Sequence, residues 1–224
     1  MCGRFTLRTT PEILREEFDL SDLPADLSPR FNIAPSQPVA IIPNRLPRRL
    51  GLVRWGLIPH WAKDPSIGNR EINARAETLA VKPSYREPLR RKRCLVPADG
   101  FYEWTGEGKA RRPVFIHLKG DGPFAFAGLW DTWRSPAGEK VGSCSIVTTE
   151  PSEILRPIHD RMPVILPREA WATWLAPEPA EPDSLLPLLR PFPSELLELR
   201  PVSRYVNTPA NEGPQCLETE NSLE

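Results

Sequence analysis

The sequence reads as a single α+β domain built around a strongly curved, barrel-like, mainly antiparallel sheet with short peripheral helices. Three observations lead there. Short β-rich runs alternate with short amphipathic runs along the whole chain, which is the pattern of an α+β layer architecture. Twenty-eight prolines are spread through the 224 residues, so most elements must be short. No repeat and no shift in composition marks an internal boundary, and the length suits one large domain. The expected domain is 2–207, followed by a polar, frayed tail over 208–224.

In chain order, TTPEILREEFDL predicts a short helix. Thr10 caps it, Pro11 suits its first turn, and Ile13, Leu14 and Phe18 form its apolar stripe. PADLSPRFNIAPSQP is irregular. VAIIP (39–43) and LGLVRWGLIP (50–59) predict a strand pair, and ARAETLA a helical turn after a polar loop. CLVPADGFYEW (94–104), PVFIHL (113–118), FAFAGLWDTW (124–133) and CSIVTT (144–149) predict strands separated by Gly, Pro and charged turns. PSEILRPI (151–158) predicts a short helix before a tight HDRMP turn, MPVILP (162–167) a strand, and REAWATWL (168–175) an amphipathic helix. The proline-broken stretch that follows predicts one short helix and a strand near 196–202.

Composition excludes several classes. The chain is 40% hydrophobic and 26% charged, as in soluble globular proteins. No apolar run approaches the roughly 18 residues that span a bilayer, and no basic-then-apolar leader opens the chain, so no membrane partner is expected. Cys2, Cys94, Cys144 and Cys216 lack metal-site spacing and form no disulfide framework. Reduced thiols in the cytoplasm are therefore expected, with no metal. Net charge is zero, yet residues 1–119 carry an excess of eight positive charges and the remainder an excess of eight negative ones. That asymmetry points either to a basic face or to halves that neutralise each other across the fold. Arginine dominates the basic half, as bidentate phosphate contacts prefer. Arg4, Arg30, Arg54, Arg75 and the RRKR run at 90–93 are the candidates, RRKR reading rather as a solvated turn.

Four stretches carry possible chemistry. The chain begins MCGRF, and methionine is normally trimmed before a small residue. Trimming would leave Cys2 with an α-amine and a thiol on adjacent carbons. Their ordinary pKa values, about 8 and about 8.5, leave both nucleophilic forms accessible near neutrality, and a small environmental shift would increase either. Gly3 lets another group approach closely; the bland alternative is a buried structural cysteine. INARAET (72–78) sets Asn73, able to hold an amine or oxyanion, two residues before Arg75; alternatively Asn73 caps a helix and Arg75 pairs with Glu77. PADGFYEW (97–104) is a bend leading into a strand with Phe101 and Glu103 on one face and Tyr102 and Trp104 on the other. A carboxyl among aromatics suits a general acid/base, or is simply a strand-end glutamate. IHDRMP (158–163) holds His159 in a turn, either as a proton-transfer group or as a structural turn residue. Trp55, Trp61 and Trp104 among arginines suit base stacking or a core.

Taken together, MCGRF, FNIAP (31–35), WGLIP (55–59), INARAET (72–78), CLVPADGFYEW (94–104), IHDRMPVIL (158–166) and PVSRYVN (201–207) resemble the SRAP family, the SOS response-associated peptidase or abasic-site-processing proteins. The motifs run in family order over about residues 2–207. The resemblance implies a mature N-terminal cysteine that captures abasic sites in single-stranded DNA. The amine forms a Schiff base with the ring-opened sugar aldehyde, and the thiol closes a thiazolidine, shielding the lesion from strand cleavage in the DNA damage response. It implies Cys2 as the nucleophile, Asn73 positioning the amine, Glu103 as general acid/base and His159 protonating the sugar oxygen. It assigns Arg4 and Arg75 to the flanking phosphates, and Trp104 and Pro38 to a wedge against bases. It also implies autocatalytic removal of Met1, lyase-like chemistry without a cofactor, and a monomer on DNA, nucleoid-associated in a bacterium. One departure is visible: PHWAKDPSIGN carries one tryptophan where some relatives have two adjacent. Two other readings stand beside this one. A non-covalent single-stranded DNA-binding module would make Cys2 structural. An N-terminal-nucleophile amidohydrolase also begins Met-Cys-Gly, but no glutaminase-type HNG segment follows.

Overall fold

The computed structural model describes residues 2–106 and 108–219. Its elements, in chain order, are β1 (Phe5–Leu7), α1 (Pro11–Glu17), β2 (Arg30–Ile33), β3 (Pro38–Pro43), β4 (Gly51–Trp55), β5 (Asn73–Arg75), α2 (Arg86–Arg91), β6 (Arg93–Ala98), β7 (Gly100–Thr105), β8 (Arg112–Leu118), β9 (Phe124–Arg134), β10 (Lys140–Thr149), β11 (Met162–Pro163), β12 (Ile165–Leu166), α3 (Arg168–Trp174), α4 (Pro182–Leu185) and β13 (Leu197–Pro201). Short 3-10 turns join several of them.

The strands form one closed ring and one open sheet. Antiparallel pairs β4–β3, β3–β6, β6–β9 and β9–β10, with the parallel pair β10–β4, close a five-stranded barrel. The second sheet, in the order β13-β8-β7-β1-β2, is antiparallel throughout. The expected α+β domain with a curved, barrel-like sheet is the observed one. The faces meet at an aromatic junction. Phe5 of β1 lies edge-on to Trp55 at 5.2 Å and to Phe126 at 5.8 Å, and Phe101 lies edge-on to Phe126 at 6.0 Å. Alternation along β7 follows the sequence: Phe101 joins this main core, while Tyr102 packs with Phe115, Val202, Val206 and Cys216 on the other face. Gly100 opens β7 because a Cβ there would sit 2.0 Å from the Phe115 ring.

The two edges of β10 change partner along its length. On one edge β4 pairs at Ser143 and Cys144, and β5 takes over at Ile146–Thr148. On the other, β9 runs as far as Ile146 and β11 continues at Thr148 and Thr149. The C-terminal end of β10 thus lies between the strand that carries Asn73 and the strand that follows His159.

Several expectations need correction. PSEILRPI is a series of turns, in which Leu155 and Arg156 donate to Ser152 O and Ile158 and His159 donate to Leu155 O; Pro157 has no N–H to extend them. GLIP leaves the strand at Gly56, whose φ of +124° and 2.4 Å approach of a would-be Cβ to Gly68 O require glycine. ARAETLA begins as strand and then makes a 3-10 turn at Ala76–Thr78. MPVILP bends between β10 and β9, pairing two residues with each. Residues 208–219, expected as part of a polar tail, contain local structure and contacts to β2. Pro214–Leu217 form a 3-10 turn, Cys216 is buried, and Glu212 accepts from Arg30 Nε and the Phe31 amide. Residues 220–224 lie outside the described residues.

RRKR is no solvated turn either. Arg90 pairs with Glu181, Arg91 with Glu87 and Lys92 with Asp131. Arg93 is completely buried and donates to the carbonyls of Leu89, Arg90, Trp174, Ala176 and Glu178. It clasps α2 and the end of α3 to the barrel. Arg93→Met should therefore lower stability by about 3 kcal/mol, because buried carbonyls lose their donor. A urea midpoint equal to wild type would refute the clasp.

Candidate functional site

The extended chain before β1 continues the β1–β7 register. Phe5 pairs with Phe101 and Thr6 with Gly100, and the Tyr102 amide donates to Arg4 O at 2.9 Å. Continued outward, that register sets Gly3 opposite Glu103. Cys2 is fully buried, and Asn73 Nδ2 donates to its carbonyl at 2.8 Å. The sheet register and the β5–β10 ladder, elements far apart in sequence, thus bring Cys2, Asn73 and Glu103 to one point. Asn73 Oδ1 is buried without a hydrogen-bond partner among the described residues, an acceptor left open beside Cys2.

Electrostatics follow from burial. Removal from water pushes the Cys2 thiol well above its usual range, and the nearby Glu103 charge adds to this. Burial thus moves the thiol away from the readily accessible thiolate expected from its ordinary pKa. Glu103, 4% exposed, has its carboxyl pushed up by burial, with Asp160 adding to the effect. His159 is half-buried, and burial lowers its pKa against an opposing effect of Asp160. Its Nδ1 lies 3.0 Å from the Arg161 amide and 2.7 Å from Asp160 Oδ1. It can serve one of them at a time: bare, it accepts from the amide; protonated, it donates to the carboxylate. Burial thus favours the uncharged form of both groups, the protonated carboxyl of Glu103 and the bare imidazole of His159.

Of the remaining candidates, Arg75 is exposed, and its guanidinium has no ion-pair or hydrogen-bond partner among the described residues. Arg4 is buried. Its guanidinium donates to Asn32 Oδ1 at 2.6 Å and Val206 O at 2.7 Å and lies 5.6 Å from the Trp104 ring centroid. Trp104 is half-buried and donates from Nε1 to Asn207 Oδ1 at 2.8 Å. Pro38 is exposed at the start of β3, opposite Arg54. Arg30 is tied to Glu212 and Arg54 to Ser36 and Asn69.

Sequence reasoning missed two supports. Arg161 grips Glu77 through two bonds of 2.8 and 2.9 Å and donates to Thr148 O at 2.7 Å, bolting the histidine turn to INARAET and to β10. The signal was present as opposite charges in two motifs. The second is buried Glu71 and Tyr85, joined by the exposed Lys82, against Asn73, which no sequence spacing announces. A cavity of about 620 Å³ between α3 and residues 187–196 contains none of the candidate residues. Among the described residues no group of side chains is arranged to hold a metal ion, and no helix is long and apolar enough to cross a membrane.

Comparison with known proteins gives consistent matches. A family model described as SOS response associated peptidase (SRAP) matches residues 1–209. The abasic site processing protein YoqW of Bacillus subtilis (strain 168) is 48% identical over 223 residues, spanning 98% of this chain and 100% of its own. The abasic site processing protein HMCES of Gallus gallus is 36% identical over 189 residues, which cover 74% of this chain and 56% of that one. A crystal structure of a protein from Bacteroides thetaiotaomicron superposes with a TM-score of 0.88 at 26% identity, covering 97% of this chain and 99% of that one.

The buried Glu103 carboxyl has a consequence for stability. Its pKa is raised on folding, so below its unfolded value it costs nothing, and stability is lost as pH rises through the folded value. Glu103→Gln should leave Tm near that of wild type at pH 4 and raise it above wild type at pH 7. A Tm difference that does not grow between these two pH values would contradict the burial effect.

Proposed function

Given that the chain belongs to the SOS response associated peptidase (SRAP) family, we propose that it processes abasic sites by capturing them covalently in single-stranded DNA. Removal of Met1, by autocatalysis in this reading, frees the α-amine of Cys2; Met1 itself lies outside the described residues. The ring-opened sugar presents an aldehyde. The neutral amine adds to its carbon, the resulting hydroxyl leaves as water once protonated, and an imine remains. The thiol then adds across the C=N bond. A C–S bond forms, the thiol proton ends on nitrogen, and a thiazolidine closes with the net loss of one water. No cofactor enters that balance.

The observation that carries the proposal is the convergence of Asn73 and Glu103 on Cys2. The open Oδ1 of Asn73 can orient the freed amine. Glu103, with its raised pKa, can deliver the proton that the leaving hydroxyl needs and take one from the thiol. His159, kept largely neutral by burial, suits proton transfer at the sugar ring oxygen. Arg75 is free to take a flanking phosphate, while Arg4 lends its charge from beneath Trp104. Trp104 and Pro38 act as wedges against neighbouring bases. An abasic nucleotide lacks base stacking, so presenting it costs little. The protein acts in this reading as a monomer.

The complete burial of Cys2 favours a second reading, in which the cysteine is structural and the DNA is held without a covalent bond. A denaturing gel separates the two. Mature protein incubated with abasic single-stranded DNA should give a retained adduct, and Cys2→Ser should give none. Absence of a Cys2-dependent adduct would leave the second reading in place. Glu103→Ala should slow adduct formation on the order of 10²-fold while affinity for intact single strands holds; loss of both together would assign Glu103 to folding or binding. Mass spectrometry of the adduct should find Met1 absent, and Met1 retained on crosslinked protein would rule out the amine mechanism.

A further inference from the structure

We propose that Tyr85, held by Glu71 and Lys82, is a positioning residue that fixes Asn73 for the reaction at Cys2. The inference rests on the reading of Cys2 and Asn73 just given, and it assigns function to residues outside that constellation.

The geometry starts from an unusual burial. Glu71 lies two residues before Asn73 and is only 8% exposed. A carboxylate in such a place must be paired and hydrogen-bonded. Lys82 Nζ reaches both of its oxygens, at 3.0 and 2.9 Å, and the Tyr85 hydroxyl donates to Oε2. The same hydroxyl lies 3.2 Å from the backbone carbonyl of Asn73, so its one proton is shared between carboxylate and carbonyl. Tyr85 is fully buried at the start of α2, and burial with the adjacent carboxylate keeps the phenol protonated. Lys82 Nζ also lies 4.8 Å from the Tyr85 ring centroid, completing the group.

What the group holds is a peptide plane. The Glu71 carbonyl accepts from the Leu57 amide at 3.0 Å and the Ile72 carbonyl from Trp55 Nε1 at 2.9 Å. With Tyr85 at the Asn73 carbonyl, three successive carbonyls are pinned, that of Ile72 by the β10 amide of Ile146 at 3.1 Å as well. Rotation of the third plane would turn the Asn73 side chain away from Cys2, losing the Nδ2 bond to the Cys2 carbonyl and moving the open Oδ1. An apolar residue at position 71 would pack without needing Lys82 or the phenol. The polar group therefore supplies direction to Asn73 that hydrophobic packing alone does not. Among the described residues no hydrogen bond or ion pair joins any of the three side chains to Cys2, so their effect runs through Asn73.

The test uses full-length mature protein, single-stranded DNA with one abasic site, and the rate of adduct formation. Tyr85→Phe keeps the ring and removes the hydroxyl. At saturating DNA the rate constant should fall about tenfold, since small misplacements of a reacting group are costly. The DNA concentration for half-maximal rate should stay within about twofold, and the final adduct yield should match wild type; a merely structural defect would lower the yield of competent protein instead. In an Asn73→Ala background, Tyr85→Phe should bring no further loss, because the two act in series. A wild-type rate for Tyr85→Phe, or the same tenfold loss with Asn73 already removed, would overturn the positioning role while leaving covalent capture intact. Failure of wild type itself to form a Cys2-dependent adduct would instead remove the underlying reading, and this one with it.

Discussion

The structure turns on β10, whose buried stretch Ser143–Thr149 must have its hydrogen-bonding groups satisfied along both edges. One partner on each side does not suffice. β4 ends at the Gly56 turn and β5 must continue its edge; β9 veers away and β11 must continue the other. Those two short strands are too small to be stable by themselves. They exist because β10 leaves groups to satisfy. In doing so they deliver INARAET and the histidine turn to the same end of the barrel, where Arg161 ties them together through Glu77. The site is thus a consequence of completing a ladder.

The N-terminal residues reach that end by a separate route. β1 is held between β7 and β2, with Phe5 driven into the junction between sheet and barrel. The aromatic contacts set how far the chain advances, and the β1–β7 register sets Gly3 against Glu103. The same burial that makes the location exact in register also imposes its electrostatic cost. Cys2 and Glu103 both resist ionisation there, and Arg4 is enclosed, its guanidinium hydrogen-bonded to the uncharged oxygens of Asn32 and Val206. Groups retained in surroundings that disfavour their charge mark functional sites more often than packing does.

Much of this was legible in one dimension. β-rich runs separated by Gly, Pro and charged turns marked β6 to β10, and the Phe101/Glu103 and Tyr102/Trp104 faces followed from the pleat. Where the reading failed, non-local bonding won. PSEILRPI has helical spacing but two prolines, and its packing favours turns. ARAETLA has helical composition, but β10 recruits its first residues into a strand. The tail read as polar and frayed, yet Cys216 and Leu217 belong to the second apolar cluster. RRKR looked solvated, yet Arg93 lies in the core because five carbonyls gather there.

The sequence by itself determined the family, the α+β character and the identities of the residues that meet at Cys2, since those depend on residue type and local pattern. Tertiary structure alone decided that Asn73 reaches the Cys2 carbonyl, that Arg75 stays open while Arg4 is enclosed, and that Tyr85, Glu71 and Lys82 stand behind Asn73. The physical reason is that these relations depend on strand register and on which buried donors and acceptors remain to be paired. Both are settled only when distant segments close the barrel.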